Sequence, residues 1–210
     1  MEAPLILVGR YLSPFVRRVA ASLKILGIPF ERRMLSTVTD KEAIFAINPV
    51  GRVPALVLDG GETLIESGAI LDCIDELAGS ARALVPAGGA ERRNVLRLVA
   101  VATAVADKAV ALLYEGKRRP AEYVYPEQIE KLTGQVKSGL ADLEGALGAK
   151  EWLALDRLTQ ADVSAAMTWD FIAIAHPGLI APADHPRLAA LAQRLGRTPA
   201  FAETHPSLDN

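Results

Sequence analysis

Residues 53–67 read Val-Pro-Ala-Leu-Val-Leu-Asp-Gly-Gly-Glu-Thr-Leu-Ile-Glu-Ser, and the reading of this stretch decides the fold. Ala55–Leu58 is a short apolar run that predicts a strand, Asp59-Gly60-Gly61 supplies a tight turn, and Thr63–Ile65 predicts a second strand, so the segment is a hairpin. Glu66-Ser67 then opens a helix that ends near Gly79.

Upstream of the hairpin the pattern is different. Leu5–Val8, followed by Gly9, predicts a buried strand. Ser13 can cap the helix behind it and Pro14 needs no amide partner in a first turn, while Val16, Val19, Ala20, Leu23 and Leu26 form an apolar stripe ended by Gly27. Phe30–Leu35 alternates as a second strand, and Thr39 or Asp40 caps a short helix that Asn48-Pro49 stops. Residues 1–79 therefore form an α/β domain of order β-α-β-α-β-β-α.

Downstream, residues 80–90 contain Pro86, Gly88 and Gly89 without an apolar period and read as a linker. Helical patterns then cover about Glu91–Arg119, Glu127–Leu147, Ala161–Ile174 and Pro186–Leu195, broken at Pro120, Gly148 and Pro177-Gly178. No strand is needed after the linker, so residues 91–210 are expected to be an all-α domain.

Composition narrows the functions open to such a chain. With 210 residues, half of them hydrophobic, a substantial core can be buried. Lys plus Arg is 23 and Asp plus Glu is 25, so the formal charge is 23 − 25 = −2, which carries no footprint for nucleic acid or an anionic membrane. Cys73 is the sole cysteine, which excludes an intrachain disulfide and a thiolate metal cluster, and His176, His185 and His205 lack zinc-ligand spacing. No metal site is expected. Met-Glu-Ala-Pro and the brief apolar run after it do not make a signal peptide, and Val95–Leu113, which carries Arg97, Asp107 and Lys108, reads as a buried helix rather than a span. A cytoplasmic protein is the expectation.

Four segments carry a resemblance: Ser13-Pro14-Phe15-Val16-Arg17-Arg18, Asn48-Pro49-Val50-Gly51-Arg52-Val53-Pro54, Leu64-Ile65-Glu66-Ser67 and Leu158-Thr159-Gln160-Ala161-Asp162. With His185-Pro186 and Pro199-Ala200-Phe201 they cover nearly the whole chain, and in this order and spacing the chain resembles cytosolic-type glutathione transferases. The Ser-Pro-Phe context is similar to the tau class. The resemblance implies a thioredoxin-like domain that holds glutathione, a helical domain that receives an apolar electrophile, a homodimer, and no cofactor, glutathione being a co-substrate. A role in detoxification goes with it.

Each segment also has a chemical reading. A free thiol of pKa about 8.5 is only a few per cent ionised at neutral pH, and the thiolate is the nucleophile. Lowering that pKa by about two units takes roughly 2.7 kcal/mol, within reach of a hydroxyl hydrogen bond and the positive end of a helix. Ser13 offers both, and it resembles the catalytic serine of the serine-type classes. As a residue alone it reads first as a helix cap, and it is the resemblance that favours the catalytic reading. Tyr11, two residues earlier, is the rival donor, since other classes use a tyrosine hydroxyl.

For Val53-Pro54 the resemblance implies a cis bond, leaving the Val53 amide and carbonyl free to pair with an extended peptide. Arg52 suits a carboxylate, although a solvated arginine reads the same way. Ser67, at a helix start, faces the kind of site that binds carboxylates, and Glu66 suits an ammonium. The glutathione-binding set is thus Ser13, Arg52, Val53, Pro54, Glu66 and Ser67, and Tyr11, Phe15 and Tyr114 are candidates to line the electrophile pocket.

Other positions read as structural. Thr159 and Asp162 have capping-box spacing and belong to the helical core. Leu155 stands where the family usually has glycine ahead of Asp156. Trp169 and Phe171 are core residues, Cys73 is a small buried one, and Arg17 and Arg18 are a solvated or subunit-facing pair. A cysteine would be needed at Ser13 for thiol transfer through a mixed disulfide, so that chemistry is not expected. A zeta-like isomerase, whose Ser-Ser-Cys signature is absent, and a non-catalytic interaction module are the alternatives.

Overall fold

β1 (Leu5–Val8) lies at the centre of a four-stranded sheet of order β2-β1-β3-β4, pairing in parallel with β2 (Phe30–Arg33) and antiparallel with β3 (Ala55–Val57). β4 (Thr63–Ile65) closes the hairpin with β3 in the register Ala55 to Ile65. The computed structural model describes residues 4–209. The parallel pair requires a crossover, supplied by α1 (Pro14–Ile25). α1 and α3 (Ser67–Ala78) pack against each other and against the sheet, and Leu7, Val16, Val19, Leu23, Leu56, Ile70 and Ile74 are fully buried between them. The short α2 (Lys41–Phe45) follows β2. Its Asp40 does not cap it: the carboxylate instead accepts from the Ser36 amide (2.8 Å) and the Thr39 hydroxyl (3.0 Å), closing the preceding turn.

Gly9 shows how tightly β1, α1 and the hairpin meet. Its φ is +132°, and a Cβ there would fall 2.6 Å from Val16 Cγ2 and 3.1 Å from Val53 Cβ. Gly9→Ala is expected to cost about 2–3 kcal/mol through strained backbone and overpacking, read as a lower urea midpoint.

The helical part holds α4 (Gly89–Lys117), α5 (Pro126–Leu147), α6 (Gln160–Ala175) and most of α7 (Pro186–Gly196). α4 packs along both α5 and α6. α6 is buried on nearly every face from Gln160 to Trp169, as a central helix should be. Thr159 and Asp162 form the expected capping box, and the Asp162 carboxylate also accepts the Leu153 amide at 2.7 Å. Among the described residues only Glu66 combines a side chain with a positive φ, so Leu155 is accommodated without a left-handed turn. Trp169 and Phe171 are buried core residues. No described helix is long and apolar enough to cross a membrane.

Four expectations change. The chain forms two compact units, but residues from Gly196 onward group with those before Gly88 rather than with the helices. The physical reason is polar: Arg17, expected to be solvated or to face a second subunit, is only 2% exposed and donates from Nε to the Thr204 carbonyl (2.9 Å), anchoring α1 to the segment after α8 (Pro199–Ala202). Arg18 is likewise buried. The stretch read as a linker is partly docked as well, because Asp75 on α3 accepts the Leu84 and Val85 amides at 2.8 and 3.0 Å and Ala83–Val85 are buried. Finally, Cys73 is half-buried rather than fully enclosed.

Candidate active site

The carboxyl end of β1 is where the chemistry gathers. Val8 pairs with Ala55 and Ala55 with Ile65, so Gly9, Pro54 and Glu66 follow on three adjacent strands at the same end of the sheet. α1 begins above that end and α3 begins beside it.

At the start of α1, Ser13 occupies the cap position with extended backbone, and its Oγ accepts a long hydrogen bond from the Val16 amide at 3.4 Å. The hydroxyl proton is left to donate elsewhere. Pro14 has no N–H, and the Phe15 amide makes no hydrogen bond among the described residues, so the helix presents one free donor and its positive end beside Ser13. Phe15 is half-buried.

Tyr11 is placed differently. Its ring is 6% exposed and lies under the Arg32 guanidinium, 4.1 Å from the ring centroid. Burial pushes the phenol above its ordinary value, opposed in part by Arg32, so it stays protonated at neutral pH. The Tyr11 and Leu12 amides donate to the Asp209 carboxylate at 3.0 and 2.8 Å. Reading the sequence missed both Arg32 and Asp209.

On the other side, the Val53–Pro54 peptide is cis, and no hydrogen bond among the described residues engages the Val53 N–H or C=O. Asn48, 2% exposed, braces this loop by donating to the Arg52 carbonyl (2.8 Å) and accepting from the Val50 amide (2.9 Å). Glu66 has φ +66°, a left-handed conformation that a side chain adopts only when its surroundings impose it, and such strain concentrates at ligand sites. Its carboxylate lies 4.0 Å from Arg52, with both side chains mostly exposed. Ser67, 4% exposed, begins α3, and the first amides of that helix have no partner within it.

The geometry thus brings together Ser13, Arg52, Val53, Pro54, Glu66 and Ser67. Tyr114 belongs to the second unit, where it is 48% exposed on α4. Cys73 lies on α3, and burial, then Glu76, Glu62 and Asp72, push its thiol above the ordinary value. Its alkylation by iodoacetamide is expected to be slower than that of free cysteine near pH 7, and to accelerate only as the pH rises past the ordinary thiol range. A rate equal to free cysteine at neutral pH would contradict this.

The class that fold and site define is a thioredoxin-like unit followed by a helical one. Two family models match, the glutathione S-transferase N-terminal domain over residues 7–82 and the C-terminal domain over residues 126–207. The chain is 33% identical to glutathione S-transferase 3 of Zea mays, over 96% of this chain and 93% of that protein. It is 30% identical to a maleylacetoacetate isomerase of Pseudomonas aeruginosa, over 94% of this chain and 93% of that protein. A glutathione transferase family member of Pseudomonas fluorescens Pf-5, solved with bound glutathione, superposes with a TM-score of 0.87 at 30% identity, covering 96% of this chain and 98% of that one. The chain belongs to the glutathione S-transferase family.

Proposed function

We propose that this protein is a glutathione transferase in which Ser13 holds the glutathione thiolate for attack on an apolar electrophile. The observation that carries the reading is the convergence of three unlike groups at one sheet end: a hydroxyl at a helix start, the unpaired Val53 peptide groups, and the strained Glu66 beside Ser67.

Each group answers one part of glutathione. The Val53 N–H and C=O pair with the central peptide as an added strand. Ser67 and the α3 amides receive the γ-glutamyl carboxylate, and Glu66 its ammonium. Arg52 neutralises a carboxylate; its pairing with Glu66 is exposed and therefore weak, so a zwitterion can replace it. Ser13 Oγ, with its proton free, donates to the sulfur. Thiolate formation then releases one proton to solvent, and attack forms the carbon–sulfur bond as the electrophile's leaving group departs or its double bond takes up a proton. Tyr11, buried beneath Arg32, is the less suited donor. Phe15 is the residue of the first unit that we assign to the electrophile side. The exposed Phe45 and Val50 give the first unit an apolar patch suited to a two-fold partner.

Likeness to the isomerase favours a second reading, isomerisation through a glutathione adduct. Ser13-Pro14-Phe15 in place of Ser-Ser-Cys argues for conjugation. Retention on glutathione resin together with turnover of chlorodinitrobenzene is the expected result. Retention without turnover of any aryl halide, enone or peroxide would leave a binding module, and absence of both would sink the proposal.

A further inference from the structure

The loop that carries Ser13 is held from far along the chain. Arg10–Leu12 joins β1 to α1 without belonging to either, and its backbone turns through a hydrogen bond from the Ser13 amide to the Arg10 carbonyl (3.1 Å). Against it lies the 3₁₀ turn Pro206–Asp209. The Asp209 carboxylate divides its two oxygens between successive amides, Oδ1 accepting from Tyr11 and Oδ2 from Leu12. The same carboxylate meets Arg32 Nη1 at 3.1 Å and Arg10 Nε at 3.9 Å, and its side chain is 3% exposed. Both arginines also reach the backbone of the turn, Arg10 Nη2 donating to the Asp209 carbonyl (2.9 Å) and Arg32 Nη2 to that of Leu208 (3.0 Å).

We propose that Asp209 is a positioning residue for the thiol-activating hydroxyl: by clamping the Tyr11 and Leu12 amides and holding Arg32 over the Tyr11 ring, it fixes where α1 presents Ser13. The proposal rests on the Ser13 reading above.

A carboxylate suits this task because two adjacent N–H groups converge on it, and charge-assisted bonds to a buried anion are stronger than those to a neutral acceptor. Two guanidiniums more than offset its charge, so the clamp does not set a negative field against a thiolate held at Ser13. Neither a carboxamide nor a methyl group can replace it. In Asp209→Asn one oxygen still accepts, but the Nδ2 group presents donors to a donor. In Asp209→Ala both amides lose their partner, and both guanidiniums lose the carboxylate and keep only the backbone carbonyls of the turn.

The test follows two signals in wild type, Asp209→Asn and Asp209→Ala: hydrogen exchange of the Tyr11 and Leu12 amides, and the pH titration of bound glutathione with kcat alongside it. In Asp209→Ala, exchange at Tyr11 and Leu12 is expected to quicken by about tenfold or more, with Leu7 and Val8 of β1 unchanged as the control for folding. The thiol pKa of bound glutathione should rise and kcat near pH 7 should fall about tenfold, while KM for the electrophile stays within about twofold. Asp209→Asn should fall between. Unchanged exchange at both amides would overturn the proposal, and so would a loosened loop with unaltered thiol titration and kcat. Wild-type protein that fails to bind glutathione would overturn the Ser13 reading and this proposal with it, a failure recognisable without any variant.

Discussion

Asp162→Ala is expected to destabilise the protein by about 3–5 kcal/mol, a large share of the roughly 5–15 kcal/mol that holds a domain folded. The carboxylate is fully buried and accepts from three donors: the Leu153 amide at 2.7 Å, the Thr159 amide at 2.9 Å and the Thr159 hydroxyl at 2.8 Å. Removing it orphans two backbone N–H groups in an apolar interior, uncaps α6, and frees the chain at Leu153, itself fully buried. Asp162→Asn should recover only part of the loss, since Nδ2 would face a donor. Burial pushes the Asp162 carboxyl above its ordinary range, against the pull of those donors. A group raised in the folded state favours the fold most when protonated, so its increment is lost as pH climbs from the unfolded value through the folded one. The Asn variant should lack that downward slope. Urea unfolding across pH measures all three quantities, and a loss below about 1 kcal/mol for the alanine variant would contradict the role given to the box.

Ser13→Ala carries the largest expected effect on chemistry. If the Ser13 hydroxyl and the positive end of α1 together lower the bound thiol from about 8.5 by about two units, removing the hydroxyl forfeits its share of that shift and the thiolate fraction near pH 7 drops from roughly three-quarters toward about three per cent, so kcat/KM should fall several-fold and by at most about 25-fold. The deficit should shrink as pH rises, to less than about twofold near pH 9, because solvent then ionises the thiol unaided. That pH dependence separates thiolate stabilisation from damage to binding, which would lower the rate equally at all pH values. Loss of the cap adds a stability cost near 1 kcal/mol or less, given the long Ser13–Val16 bond. Tyr11→Phe should leave the pH profile unchanged, since the phenol is buried beneath Arg32 and stays protonated.

What was legible in the sequence was mostly what is local. The hairpin at 53–67, the Ser13-Pro14 helix start and the Thr159–Asp162 box each follow from side chains within a few positions of one another, where turn and cap chemistry act. The grouping of Val53, Glu66 and Ser67 came from resemblance, and the ladder explains it, because Ala55 opposite Ile65 places Pro54 next to Glu66. What escaped notice were polar contacts spanning most of the chain. Arg17 and Arg18 read as a solvated or subunit-facing pair, yet Arg17 donates to the carbonyl of Thr204, 187 positions away. A carbonyl acceptor leaves no mark in a sequence. Asp209 was invisible for the same reason, its partners being backbone amides 197 and 198 positions distant. Likewise Leu84 and Val85 lacked a helical period and so resembled free linker, whereas Asp75 pins them by their amides.

The central claim is that the first unit binds glutathione as its thiolate at Ser13. Titrating the ultraviolet thiolate absorbance of glutathione bound to the wild-type protein tests it most directly. A bound-thiol pKa near 6.5, about two units below free glutathione, is the result this account predicts; a value indistinguishable from free glutathione, or one that Tyr11→Phe raises while Ser13→Ala does not, would contradict it.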